Sequence, residues 1–518
     1  MPEMTQGVLR RHAAQHPDAP AASSFHRQLT AAELDADADR VAGYLLERGI
    51  GPGRRVAYLG RNRVEAPAVL MATRRTRTTF VGGNFRLTGP EHAVAFGLAR
   101  PDVVIAEPHL VDRLDEWRLA ADHDPVVAVL GDEADDGDEE RWGDLAGAPI
   151  PSPGDLAGDG EPDDMAMIYF TAGTSGAPKA VVHRLAACEL AASRHDHLAI
   201  GPSTTQLIVP PSFHVAGALW SQFSLHGRSH QVLLSEAAPP TMLQAIERFG
   251  VTHAVFVPTL IRILVDALEP AGDAGPSTDT LRLIAYGASP IHPSLLDRAM
   301  RVLGSDFYQA YGMTEMNGVA THLLPDDHRP PPEHADRLRS AGRPVTGTEV
   351  RVTAPHTDTV VPVGIDGELQ FRGPLAMVGY LDNPDATAAA FTGDGFFRTG
   401  DIGHLDDDGY VFVTDRLSET IITGGENVYP VEVENVIAAR PEIADVAVVG
   451  VPDDRWGERV VAAVTLAAGT ELDDTDLEAH CRAHLAGYKV PRDIKVVEAI
   501  PRNAAGKVVR REVRERWG

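Results

Sequence analysis

The sequence predicts an α/β protein in two parts. A large N-terminal domain of layered α/β sheets ends in a small antiparallel, β-barrel-like unit, and a smaller α+β C-terminal domain follows. Three observations carry this expectation. The chain has 518 residues, more than one simple core holds, so at least two domains are expected. Short, continuous apolar runs recur between helical stretches, which is how strands buried on both faces of a mostly parallel sheet read. From about residue 345 the texture changes to alternating strands with Asp-Gly turns, and a compact unit of roughly a hundred residues follows Arg416.

Residues 30–50 read as an amphipathic helix with Leu34, Val41, Leu45 and Leu46 on one face. Buried strands are expected at "RVAYLG" from 55, "DVVIAE" from 102, "VVAVLG" from 126, "MAMIYF" from 165, "QLIVPP" from 206, "HAVFVP" from 253 and "LRLIAYG" from 281. "EVRVT", "GELQFRG" and "GYVFVTDR" form the antiparallel unit, with Asp-Gly turns at 366, 394 and 408. Beyond Asp415-Arg416 the reading is a hairpin, a helix from Pro430, strands "VAVVGV" and "VVAAVTL", a helix near 475–485, a strand "IKVVEAI" and a helix from about 508. The expected domains are 1–416 and 417–518.

Composition excludes several classes. With 43% hydrophobic and 23% charged residues the chain is an ordinary globular one. A net charge of −27 argues against a nucleic-acid partner. Residues 131–164 hold 13 acids against one base, Arg141, which reads as a solvated surface loop. Cys188 and Cys481 are too few for a disulfide framework and suit a reducing cytoplasm. No apolar run approaches the roughly 18 residues of a membrane span, and the N-terminus carries no apolar signal segment.

Five stretches carry chemistry. The first, "IYFTAGTSGAPKAVVHRL" from 168, stops an apolar strand at Thr171, opens a hydroxyl- and Gly-rich loop, and ends it on Lys179 before a helix-like run. Gly173 and Gly176 let backbone amides approach a ligand; Thr171, Thr174 and Ser175 add hydroxyls; Lys179 adds a compact charge. That set suits a polyphosphate. It is not a Walker A loop, because Pro178 precedes the Lys and Ala180 follows it. Of 47 basic residues only four are Lys, at 179, 489, 495 and 507, so a Lys in this Arg-rich chain is informative. The second stretch, "YQAYGMTEMNG" from 308, offers the Tyr311 ring for stacking a base and Thr314 with Glu315 as hard-oxygen donors for magnesium. The third, "FRTGDIGHLDDDGYVFVTDR", places Asp401 in a tight turn where its carboxylate could take both hydroxyls of a ribose, with Arg416 as a further donor. The fourth, "ETIITGGENVYPVEVE", sets Gly424-Gly425 between a strand and a helix, and the fifth, "PRNAAGKVVRREV", sets Lys507 just before the last helix.

In this order and at these spacings the five stretches resemble the adenylate-forming superfamily of acyl- and aryl-CoA synthetases, peptide-synthetase adenylation domains and luciferases, over essentially the whole chain. The resemblance implies an AMP-forming acid–CoA ligase: ATP and Mg2+ turn a carboxylic acid into an acyl-adenylate, and coenzyme A takes the acyl group. It implies that Thr171, Ala172, Gly173, Thr174, Ser175, Gly176 and Lys179 hold the β- and γ-phosphates. Tyr311 and Gly312 would face adenine, lined by Gly287, Ala288 and Ser289. Thr314 would touch the α-phosphate, Glu315 would hold magnesium, Asp401 and Arg416 would bind the ribose, and Lys507 would bridge carboxylate and α-phosphate. The C-terminal domain would rotate about Ser418, bringing up either Lys507 or the loop Gly424, Gly425, Glu426 beside the pantetheine arm. Relatives commonly carry Asp or Lys at the Ser418 position, Ser at Ala172 and Gly at Ala180.

The segment "PPSFHVAGALW" matches the family's acyl pocket. His214 stands where amino-acid-activating members place Asp, which disfavours an amino acid and makes His214 a candidate catalytic group as well. Val215, Ala216, Gly217, Tyr286, Gly287 and Ala310 complete an apolar or small lining, so a hydrophobic acid is expected: fatty, aryl or polycyclic. No insertion typical of long carrier-protein-loading members is present, which favours coenzyme A. Three rivals stay open: an enzyme of one half-reaction, a carrier-protein ligase, and a non-catalytic nucleotide- or acyl-binding relative. A homodimer is also left open.

Overall fold

The structure is a computed structural model that describes residues 3–123, 125–130, 150–151, 156, 158, 160–172, 178–270, 276–423, 426–453, 455–502 and 508–517. Among these residues two large sheets make up most of the N-terminal part. Nine strands form one, with parallel pairing from Asp306–Tyr311 through Leu283–Gly287, His253–Phe256, Thr205–Ile208 and His230–Leu233 to Pro20–Ser23, and antiparallel strands at both edges. Seven strands form the other. Its parallel part joins Met165–Ala172, Thr79–Gly83, Arg55–Leu59, Val103–Ala106 and Val126–Val129. These strands are mostly buried because helices cover both faces.

Helices Ala31–Glu47, Ala66–Thr76, Leu185–Ala192 and Val215–Gly227 lie between the sheets. The largest core cluster joins them to both, through Tyr58, Phe80 and Ile105 on one side and Ile208, Leu233 and Ala285 on the other. Helices Pro239–Phe249, Pro258–Leu268 and Pro293–Leu303 cover the outer face of the nine-stranded sheet, and Gly89–Ala99 with Asp115–Ala120 cover that of the seven-stranded one. The helix expected at 30–50 runs Ala31–Glu47 behind a Thr30–Glu33 capping box, with Leu34, Val41 and Leu45 fully buried and Leu46 half-buried.

The antiparallel unit is a four-stranded sheet in the order Glu349–Thr353, Gly367–Arg372, Phe397–Leu405, Val411–Arg416. Beyond this path, Val411 in the last strand exchanges backbone bonds with Ala341 and Gly342 at 2.7 and 2.8 Å, and Thr353 in the first bridges to Val360. The smaller C-terminal domain wraps a sheet led by Ile443–Asp453 and Gly457–Leu466 between helices Pro430–Ala438 and Asp474–His484 on one face and Arg510–Trp517 on the other. No described helix is long and apolar enough to cross a membrane.

Candidate active site

The phosphate-loop segment departs from expectation. Lys179 does not lead into a helix. It sits in strand Pro178–Arg184, which pairs antiparallel with Met165–Ala172 so that Thr171 faces Lys179 across the hairpin. The helix begins only at Leu185. Ala180, Val181, Val182 and His183 are all buried, and a run buried on both faces with two β-branched residues settles as strand. Gly173, Thr174, Ser175 and Gly176 lie outside the described residues, as does the side chain of Ala172. Lys179 is half-buried, its ammonium 4.6 Å from the centre of the Tyr380 ring.

Tyr311 ends strand Asp306–Tyr311, and its hydroxyl donates to Asp401 Oδ2 at 2.6 Å. Arg416 Nε lies 2.7 Å from Asp401 Oδ1, and the two residues are direct cross-strand partners. Asp401 is only 3% exposed, so its charge is held by these donors rather than by water. Burial, then the neighbouring Asp401 carboxylate, push the Tyr311 phenol well above its ordinary value and keep it a donor. The paired Asp401 raises the Arg416 guanidinium. The site's strands thus bring three sequence-predicted residues into one relay.

Thr314 and Glu315 form a single 3-10 turn, Thr314–Met316, closed by Asn317 at φ 53°. Two residues that sequence reasoning missed hold it. His183 donates through Nε2 to the Thr314 carbonyl at 2.7 Å, and burial lowers its pKa to about 4, so it is neutral. The Tyr380 hydroxyl donates to Glu315 Oε1 at 2.9 Å, and the Met377 amide donates to the Glu315 carbonyl at 2.8 Å. Gly312 has no room for a side chain: a Cβ there would lie 2.5 Å from the Gly318 carbonyl oxygen. Ala288 follows strand Leu283–Gly287 in the left-handed region at φ 67°, next to the half-buried Ser289.

His214 caps helix Val215–Gly227, its Nδ1 accepting from the Ala216 amide at 3.3 Å. Gly217 is required by close packing, since a Cβ would meet the Pro210 and Pro211 carbonyl oxygens at 2.3 Å. Asn62, also missed from sequence, pins the same segment: Nδ2 lies 3.0 Å from the Pro210 oxygen and 3.2 Å from that of Val209, and Oδ1 accepts from the Ser212 amide at 2.9 Å. Val215 and Ala310 belong to the core between the sheets, whereas Tyr286 belongs to the core on the far side of its strand. Tyr286 is 1% exposed with its hydroxyl 3.0 Å from His328 Nε2. Its side chain therefore points away from the segment expected to line the acyl pocket, because neighbours on a strand face opposite sides. A Cβ on Gly287 would lie 2.4 Å from the Ala310 carbonyl oxygen.

Ser418 lies in the 3-10 turn Leu417–Glu419, with its side chain outside the described residues. Arg416, before it, is tied to Asp401; Glu419, after it, accepts from Arg510 Nη1 at 2.8 Å. Arg510 also reaches Glu434 Oε1 at 2.7 Å, and Asp415 Oδ2 accepts from the Val431 amide at 3.0 Å. Burial raises both Asp415 and Glu434 to about 6. Gly424 and Gly425 lie outside the described residues, between strands Ile421–Thr423 and Glu426–Val428, and Glu426 is exposed. Lys507 lies outside them too.

Residues 9–381 match the AMP-binding enzyme family and residues 432–507 its C-terminal domain. The chain belongs to the AMP-binding enzyme family. It is an AMP-forming ligase of the acid–CoA type, in which an acid is joined to a thiol through an acyl-adenylate. This AMP-binding enzyme is 34% identical over 513 residues to the fatty acid–[acyl-carrier-protein] ligase ScoC of Streptomyces coeruleorubidus, covering 98% of this chain and 95% of the relative. It is also 34% identical over 521 residues to a feruloyl-CoA synthase of Amycolatopsis sp, covering 98% of both. Among solved structures it overlays on ATP-bound MatB from Rhodopseudomonas palustris with a TM-score of 0.88 at 29% identity and 99% coverage of both chains. Against apo MatB the score is 0.79.

Proposed function

We propose that the enzyme activates a hydrophobic carboxylic acid with ATP and transfers it to coenzyme A, using the residues gathered around Tyr311, Glu315 and Lys179. The observation that carries the reading is the relay Tyr311–Asp401–Arg416 beside the Thr314–Glu315 turn and Lys179. Three separate stretches converge there, each supplying groups that a nucleotide triphosphate needs. The Tyr311 ring offers a face to adenine, Asp401 and Arg416 face the ribose, and residues 171–179 hold the β- and γ-phosphates. Thr314 and Glu315 are the hard-oxygen donors that fit magnesium, and Glu315 Oε2 accepts no hydrogen bond among the described residues. Magnesium bound there would screen phosphate charge. Lys507, between carboxylate and α-phosphate, offsets the repulsion of two like charges as the acid attacks.

The 1–416 and 417–518 division is supported by the ties on either side of Ser418: Arg416 to Asp401 in the first part, Glu419 to Arg510 in the second. The bond from the Val431 amide to Asp415 crosses this division, so a rotation about Ser418 would have to break it.

For the acid, the small and apolar residues around the helix-capping His214 favour a substrate without an ammonium group, in line with the feruloyl and fatty acids in the relatives' names. For the acceptor, ScoC aligns end to end with this chain yet loads a carrier protein by name. The missing insertion therefore does not separate coenzyme A from a carrier protein, and a carrier-protein acceptor is the second reading. A cytoplasmic setting is supported by two free, buried cysteines. The test is pyrophosphate release with ATP, magnesium and a panel of fatty and aryl acids, followed by mass spectrometry with coenzyme A and with an acyl carrier protein as acceptors. Acyl-CoA from at least one acid supports the proposal. Acyl transfer to the carrier protein alone establishes the second reading.

A further inference from the structure

Tyr380 lies between Lys179 and Glu315 and touches both. Its ring carries the Lys179 ammonium 4.6 Å from the centroid, and its hydroxyl donates to Glu315 Oε1 at 2.9 Å. The backbone around Tyr380 is bolted to both partners. Strand Gly379–Tyr380 pairs antiparallel with the Lys179 strand, Tyr380 opposite Val181, and the amides of Val378 and Leu381 donate to the Val182 and Ala180 carbonyls at 2.8 Å. On the other side the Met377 amide holds the Glu315 carbonyl. The Tyr380 amide donates to Thr387 Oγ1 at 2.9 Å, and Thr387 packs so closely on Gly379 that a Cβ there would lie 2.7 Å from its side chain.

Lys179 and Glu315 carry opposite charges at one end of the site, and no ion pair joins them among the described residues. Two flexible charged side chains this near a common neighbour would otherwise pair, and ATP would then have to break the pair to reach either. An aromatic face gives the ammonium an alternative seat, and a phenol donor gives the carboxylate a fixed orientation.

We propose that Tyr380 is a positioning residue for the phosphate site: its ring seats Lys179, its hydroxyl orients Glu315, and together they keep the two charges apart and available to ATP and its metal. This rests on the roles given above to Lys179 and Glu315.

The test is nucleotide binding by titration calorimetry with no acid present, using ATP alone and ATP with increasing Mg2+. Tyr380→Phe keeps the ring and loses the donor. It should bind metal-free ATP within about twofold of wild type. The Mg2+ concentration giving half the metal-dependent tightening should rise about tenfold, as when an outer-shell partner of a metal ligand is removed. Tyr380→Leu should show the same Mg2+ shift and also bind metal-free ATP about fivefold more weakly, because the ammonium loses its seat. A general structural defect would weaken both forms of ATP alike in both variants, and that pattern overturns the proposal. Lys179→Ala and Glu315→Ala separate the two levels of the claim. If both bind weakly while the Tyr380 variants match wild type, the positioning role is wrong. If both bind as wild type does, the assignment of the phosphate site is wrong and the positioning role falls with it.

Discussion

Replacing Tyr311 by Phe removes one oxygen and leaves the ring. In the native structure that oxygen donates at 2.6 Å to a carboxylate that is 3% exposed. A hydrogen bond to a charged group contributes about 1.5–3 kcal/mol, and deleting the donor leaves the buried acceptor short of a partner. Asp401 keeps the Arg416 guanidinium at 2.7 Å, so the loss belongs at the low end, about 1.5–2 kcal/mol. If Asp401 must be oriented to accept the ribose hydroxyls, this appears as a rise of about 10- to 30-fold in the KM for ATP. The KM for the acid should hold, because no acyl-pocket residue is touched, and base stacking should persist. The assay is initial-rate pyrophosphate release against ATP at saturating acid, then against acid at saturating ATP. Tyr311→Leu, which also loses the ring, should be worse than Tyr311→Phe. A Tyr311→Phe enzyme whose ATP KM stays within about twofold of wild type refutes the relay as a ribose-positioning device.

Gly217→Ala forces a Cβ to within 2.3 Å of two carbonyl oxygens, so the helix behind His214 must shift. Overpacking of this kind costs about 1–3 kcal/mol, and acid KM should rise while ATP KM is held, read from the same two rate series. Glu434 is pushed from 4.5 to about 6 by burial, so the native state binds its proton more tightly than the unfolded chain does. Its ionised form therefore costs stability that is absent below pH 4.5 and fully present above about pH 6. Glu434→Gln keeps Oε1 as acceptor for both the Val448 amide and Arg510 and removes this titration. Between pH 4 and 8 its stability should change relative to wild type by about 2 kcal/mol in its favour, measured by chemical denaturation of the two proteins side by side.

The strands that could be read in the sequence were those with unbroken apolar runs, such as Arg55–Leu59 and His253–Phe256. Thr79–Gly83 escaped because two of its five residues are glycines, whose missing side chains let the Phe213 backbone and the neighbouring strand approach. The strand carrying Lys179 reads as a helix because only His183 and Arg184 separate its apolar, β-branched run from helix Leu185–Ala192. Periodicity cannot separate a fully buried strand from the start of a buried helix. The same full burial hid the direction of Tyr286: where both faces are apolar, alternation does not say which side a residue takes. Tyr311, Asp401 and Arg416 were legible as chemistry, although Asp401 lies within strand Phe397–Leu405, paired with Arg416, and not in the tight turn expected for it. His183 and Tyr380 were not. They act on Thr314 and Glu315 from 131 and 65 residues away, and their partners exist only once the sheets have paired. Asn62 is hidden for the same reason, reaching Ser212 across 150 residues.

Acyl-adenylate formation through Lys507, at the site built around Tyr311, Glu315 and Lys179, is the step on which the proposed reaction turns. Isotope exchange between pyrophosphate and ATP, run with magnesium and without any thiol, reports that step alone. Exchange should depend on added hydrophobic acid in the wild type and fall by several hundredfold or more in Lys507→Ala, on the order of 4 kcal/mol for a lost electrostatic partner in the transition state. Exchange that needs no acid, or a Lys507→Ala enzyme within about tenfold of wild type, would contradict it.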